Sequence, residues 1–241
     1  MRERPLVADL VKDTFVPKMF RVRQKFPRPR IDPADIPDII RSLLSEEKFA
    51  SRVKPGMRIA ITAGSRGVAN VALTTKCIAD FVKSRGAHPF IVPAMGSHGG
   101  ATAEGQREIL AGYGIVEEYV GCPIISSMEV KKIGVNDEGG DVYIDKNAAE
   151  ADGIILGCRV KPHTAFRGPY ESGLMKISRM LIGKMTTIGS AKLFSQPRPP
   201  LAKTPDSSIK MMLRIASEAV TLISFVGGLK PRMPMRLAIP I

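Results

Sequence analysis

The stretch that most constrains the fold is residues 57–94, MRIAITAGSRGVANVALTTKCIADFVKSRGAHPFIVPA. A short apolar run over about 58–63 enters a glycine-bounded turn. Asn70 then stands where a helix cap is favoured, apolar residues recur at helical spacing, and Gly86 is placed to stop the helix. A second apolar run, HPFIVPA, follows at once. Strand, helix and strand in so few residues make a βαβ unit, whose two strands run parallel and whose crossover is expected to be right-handed.

The pattern continues downstream. AEGQREILAGYG reads as a helix closed by Gly114, and VYIDKNAAEADGIILGCRV supplies a strand, a short helix and an apolar strand at 153–159. Upstream, IDPADIPDIIRSLLSEEKFASRV reads as helical, with Asp32 as the cap and Pro37 tolerated only in the first turn or at a division. The expected fold is α/β and Rossmann-like, a mainly parallel sheet with helices on both faces. SSIKMMLRIASEAVTLISFVGG, near the end, also has a helical pattern.

With 241 residues, 44% of them hydrophobic and 24% charged, the chain has the length and balance of a globular protein. No apolar run reaches the roughly 20 residues of a membrane helix, so no membrane partner is expected. The first residues, MRERPLVADLVKDTF, carry charges where a signal peptide has its apolar core. Cys77, Cys122 and Cys158 are widely spaced, without a C-x-x-C pair, which suits reduced thiols in a cytoplasmic protein.

The formal net charge of +13 raises the question of nucleic acid. Ten basic residues, against only Asp206 and Glu218, lie after Lys176, in a segment that also holds half the methionines. The segment has only Phe194 and Phe225 as aromatics and no reading motif, so its charge supports non-specific attraction alone and nucleic acid is not the expected partner. The composition divides the chain into a domain over 1–185 and a basic, Met-rich tail over 186–241.

In open α/β sheets, ligands bind beyond the carboxyl ends of the strands. Arg66 follows the first apolar strand, His98 the second, and His163 the strand at 153–159, so all three can converge on one edge if these strands are parallel. Gly64, Ser65, Arg66 and Gly67 lie between a strand and a helix, where backbone N–H groups and a guanidinium favour a phosphate or carboxylate. The turn is neither G-x-G-x-x-G nor a Walker loop, and a tight turn with a solvated arginine is an equal reading. His98 and His163, each in a glycine-punctuated loop, are the acid–base candidates, whereas His88 opens a strand at the opposite end and reads as structural. Glu171 can pair with Arg167 or Lys176 to shape the loop. Two histidines on opposite sides of one stereocentre could serve its two enantiomers. For a 2-hydroxy acid they could take only the hydroxyl proton, because the α C–H must leave as hydride to a cofactor.

GSRGVAN, PFIVPAMGSHGGATAEGQ and DGIILGCRVKPHTAFRGPYESGLMKI, in this order and spacing, resemble the amino-terminal domain of the nickel-dependent lactate racemase family, over about Val16 to Lys176. The resemblance is nearest to the wider branch of 2-hydroxy-acid racemases. It implies a nickel pincer nucleotide as hydride acceptor and a small 2-hydroxy acid as substrate. By the same resemblance His98 and His163 are the proton-transfer groups, Lys176 tethers the cofactor, and Arg66 contacts substrate and cofactor. Ala63 replaces an acidic residue of the founding members and Gly99 an arginine. The family's metal-ligand histidine, expected after Lys176, has no counterpart because no histidine follows His163, so no metal ligand is named. The second domain of the family is expected to be absent. A non-catalytic nucleotide- or anion-binding domain is the alternative reading.

Overall fold

The computed structural model describes residues 31–135 and 141–160, the backbone of 220–226, and isolated residues before position 31. Its elements are α1 (Ile36–Leu44), α2 (Glu47–Ala50), β1 (Arg58–Ala63), α3 (Val71–Ser84), β2 (His88–Pro93), α4 (Ala103–Gly112), α5 (Glu117–Val120), β3 (Val130–Val135), β4 (Asp141–Asp145), α6 (Lys146–Ala149), β5 (Gly153–Val160) and β6 (Val220–Val226). A single 3₁₀ turn, Gly99–Ala101, precedes α4.

The main sheet has the order β2-β1-β5-β6, and every pairing in it is parallel. β1 is central and carries Ile59, Ile61 and Ala63 to one face and Ala60 to the other, all buried. Side chains that alternate between two buried faces give the near-continuous apolar run that the sequence shows. On the first face they meet Ile40 and Leu44 of α1, Ile78 and Val82 of α3, and Leu110 of α4. The buried positions Thr75, Ile78, Ala79 and Val82 of α3 follow the helical period, which is why this segment can cross over the sheet. On the second face Ala60, Phe90, Val92, Ile154 and Leu156 pack with Ile144 of β4 and Ala148 of α6.

The α/β, Rossmann-like reading and the parallel sheet therefore stand, and α6 shares the second face with a hairpin. That hairpin departs from expectation. The strand at 141–145 pairs antiparallel with β3 in a sheet of its own, with a register shift at Lys132/Gly134 and a Lys132–Asp141 ion pair of 2.5 Å. Ile144 and Ile133 of the hairpin pack on the second face of the main sheet, so it covers that sheet from one side instead of joining it.

Four local readings also change in whole or in detail. The first helical segment divides at Ser45–Glu46, with Pro37 in the first turn of α1. Asp32 is not the cap: its carboxylate accepts from Ala34 N at 2.9 Å, in a turn ahead of the N-cap residue Asp35. Asn70 is the N-cap of α3 but adopts φ 57° and makes no side-chain capping bond. Over 220–226, VTLISFV is a strand paired with β5, not helix, as its β-branched and aromatic content favours. The rest of that helical pattern lies outside the described residues.

All three thiols are free. Burial pushes Cys122 up to about 11 and Cys158 up to about 12, and it also raises Cys77. Because the folded pKa values lie above the unfolded value of 9.0, the protonated thiols contribute stability in full below about pH 9 and lose it as pH rises toward 11 to 12. Urea midpoints measured between pH 8 and 10.5 should fall above pH 9, and fall less steeply in Cys158→Ala.

Candidate active site

In chain order the four main strands are arranged second, first, third, fourth, so the connections diverge between β1 and β5. A crevice at the carboxyl ends of these two strands is where a doubly wound sheet binds ligands. Here the ladder runs from Ile59↔Gly153 to Ile61↔Ile155 and then stops. Beyond it Gly157 N donates to the side-chain Oγ1 of Thr62 at 3.1 Å. A Cβ on Gly157 would stand 3.2 Å from Thr62 O, so glycine keeps the two strands close at the floor of the crevice. On the other side β1 and β2 stay in register to Ala63↔Pro93, and Ala94 N reaches Ala63 O at 2.8 Å.

The loop after β1 and the loop after β2 therefore leave the sheet side by side, and they meet. Ser65 Oγ and His98 Nδ1 share a short hydrogen bond. Both residues are half-buried, while Arg66 beside them is exposed. The expected convergence of the first two strand ends is present. His163 and Lys176, which belong after β5, lie outside the described residues. His88 starts β2, exposed, at the far end of the sheet.

Helix α4 holds both loops. At its start Thr102 Oγ1 accepts from Gly105 N at 3.0 Å, an N-cap bond, and also donates to Gly99 O at 3.0 Å. One turn later the fully buried Gln106 donates from Nε2 to Gly96 O at 2.7 Å, and its Oε1 has no donor among the described residues. Just past its end the phenol of Tyr113 donates to Ser65 O at 3.0 Å, and its ring lies 3.4 Å from where a Cβ on Gly67 would stand. A second tie runs from Arg107 to Glu117 at 2.8 Å, whose carboxylate also takes Ile124 N at 2.8 Å. Gln106 and Tyr113 did not stand out in the sequence. The signal for Gln106 is a polar residue one turn before Leu110 on the inward face of α4, whereas nothing in AGYG marks Tyr113.

These groups can bind an anion and move a proton. The exposed Arg66 guanidinium and the turn amides suit a carboxylate or phosphate, and a half-buried imidazole beside them suits acid–base work. Among the described residues no three His, Cys, Asp or Glu side chains stand together as a metal site, and no helix is long and apolar enough to cross a membrane.

Comparison with known proteins finds matches both to a family and among solved structures. The profile of the family described as lactate racemase N-terminal domain matches residues 17–177. Among solved structures, the lactate racemase apoprotein from Thermoanaerobacterium thermosaccharolyticum superposes with a TM-score of 0.55 at 14% identity, over 86% of this chain and 53% of that one. The chain thus spans about half the length of that enzyme, and at this identity the likeness is one of fold. No curated protein matches.

Four substitutions test the geometry. Thr62→Val keeps the shape but leaves Gly157 N–H without an acceptor, and should cost about 1–3 kcal/mol in denaturant unfolding while Thr62→Ser costs little. Gly99 and Gly100 both have φ 67°, but a Cβ on Gly99 would stand 2.6 Å from Gln106 N whereas one on Gly100 meets nothing within 4 Å. Gly100→Ala should therefore show only the strain of a left-handed residue, about 1–2 kcal/mol, and Gly99→Ala distinctly more.

Proposed function

Because the chain belongs to the lactate racemase N-terminal domain family, we propose that it is the site-bearing domain of a racemase or epimerase for a small 2-hydroxy carboxylic acid. The observation that carries this reading is the pairing of Ser65 with His98 beside Arg66 at the carboxyl edge of β1 and β2. Inverting such an acid requires an anion contact for the carboxylate and a base for the hydroxyl proton. It also requires an acceptor for the α hydrogen, which is too weakly acidic for histidine to remove as a proton. Arg66 supplies the first and His98 the second.

A nickel pincer nucleotide, when bound, supplies a hydride acceptor and carries its own sulfur and carbon donors for nickel. An anionic nucleotide suits the Gly64–Ser65–Arg66 turn, where the Arg66 side chain is exposed, and Lys176 is the residue assigned to tether it. Arg66 orients the carboxylate. His98 takes or returns the hydroxyl proton of one enantiomer, and His163 is assigned to the other. We place the activity in the cytoplasm, in keeping with three free thiols. We assign the site to residues 1–185, and the basic segment 186–241 adds the β6 strand to the same sheet.

The test is to co-express the full chain with cofactor-making enzymes, then measure nickel content, the intact mass of the Lys176-containing peptide and racemisation of a 2-hydroxy-acid panel by chiral chromatography. Bound nickel, a mass adduct and turnover that falls about 10²–10⁴-fold in His98→Ala are expected. Absence of all three would overturn the proposal and leave the anion-binding reading.

A further inference from the structure

The geometry points to Ser65 as the positioning residue that makes Nε2 of His98 the atom that exchanges the proton. This inference rests on the acid–base reading of His98 and deepens it. Nδ1 is the nitrogen engaged with Ser65 Oγ, so it is turned into the protein between two loops and only Nε2 is left to face a reacting group. In the imidazolium form both ring nitrogens are donors, so Nδ1–H must then donate to Ser65 Oγ. If the same bond persists when His98 loses its proton, the neutral ring is held as the Nδ1–H tautomer with the Nε2 lone pair free. The reverse arrangement, with the Ser65 hydroxyl donating to Nδ1, would leave Nε2 protonated and useless as a base.

The serine is itself fixed, as such a role requires. Its carbonyl accepts from the Tyr113 phenol at 3.0 Å, and the histidine loop is tied to the same helix through Gln106 Nε2 and Gly96 O at 2.7 Å. Both ends of the Ser65–His98 bond thus refer to α4, so the ring is held with Nδ1 toward Ser65 Oγ.

Long-range ¹H–¹⁵N correlation spectra of the full chain, labelled at its three histidines, read the tautomer directly, with His88 as the exposed internal control. Wild type above the imidazole pKa should show His98 as the Nδ1–H form. Ser65→Ala should shift it toward the Nε2–H form that free histidine favours, Ser65→Thr should restore it, and His88 should stay unmoved in both. An Nε2–H ring in wild type, or a His98 spectrum indifferent to Ser65→Ala in a protein that still folds by its amide spectrum, would overturn the inference. In the cofactor-loaded enzyme Ser65→Ala should lower kcat more than it changes KM, between about tenfold and the about 10⁴-fold that a wrong tautomer costs a serine protease. The spectra need no turnover, so a missing racemase activity and a missing tautomer preference are separate failures.

Discussion

The constraint on which the site depends is the burial of β1 on both faces. A strand with Ile59 and Ile61 packed on one side and Ala60 on the other cannot shift by one residue without exchanging its two faces. Its parallel register with β2 is thereby fixed from Arg58↔His88 to Ala63↔Pro93. Since both strands end at the same level, the turn at Gly64–Gly67 and the loop at Gly96–Ala101 are neighbours before any of their own side chains interact. The hydrogen bond between Ser65 and His98 follows from the register of the core.

Helix α4 converts that proximity into a defined geometry. It faces inward through Leu110, which anchors it on the sheet, and through Gln106, which carries a polar contact from the same buried row up to the histidine loop. A buried amide is costly unless it is bonded, so Gln106 commits the helix and the loop to one relative placement. Tyr113 does the same for the other loop from the exposed end of the helix. The two contacts differ in character. One is dry and tied to the core, whereas the other is open to water, so the β1 loop is the more easily displaced of the two.

Much of this was legible in the sequence, because glycines and apolar runs report backbone geometry directly. Gly86 and Gly114, with positive φ, end helices where their positions suggested, and the strands near 58–63 and 153–159 fall close to their predicted bounds. Arg66 and His98 stand just beyond strand ends, as their places after apolar runs indicated. The β3–β4 hairpin was not read, since Lys131 and Lys132 interrupt the alternation and the register shift at Gly134 hides what remains. Asp32 was misassigned because an aspartate can close a turn as readily as a helix, and only the bond to Ala34 distinguishes them. Tyr113 was invisible for a different reason: its partner is a backbone carbonyl 48 residues away, and no local pattern encodes such a contact.

Gly99 and Gly105 lie backbone to backbone, each occupying the space that a Cβ on the other would need. A joint of this kind contains no side chain that can be enlarged, trimmed or repacked. Ser97, a neighbouring position that faces solvent, is therefore free to vary in size and charge without carrying the imidazole with it. The solvent-facing rim of the loop can change while His98 keeps its place beside Ser65.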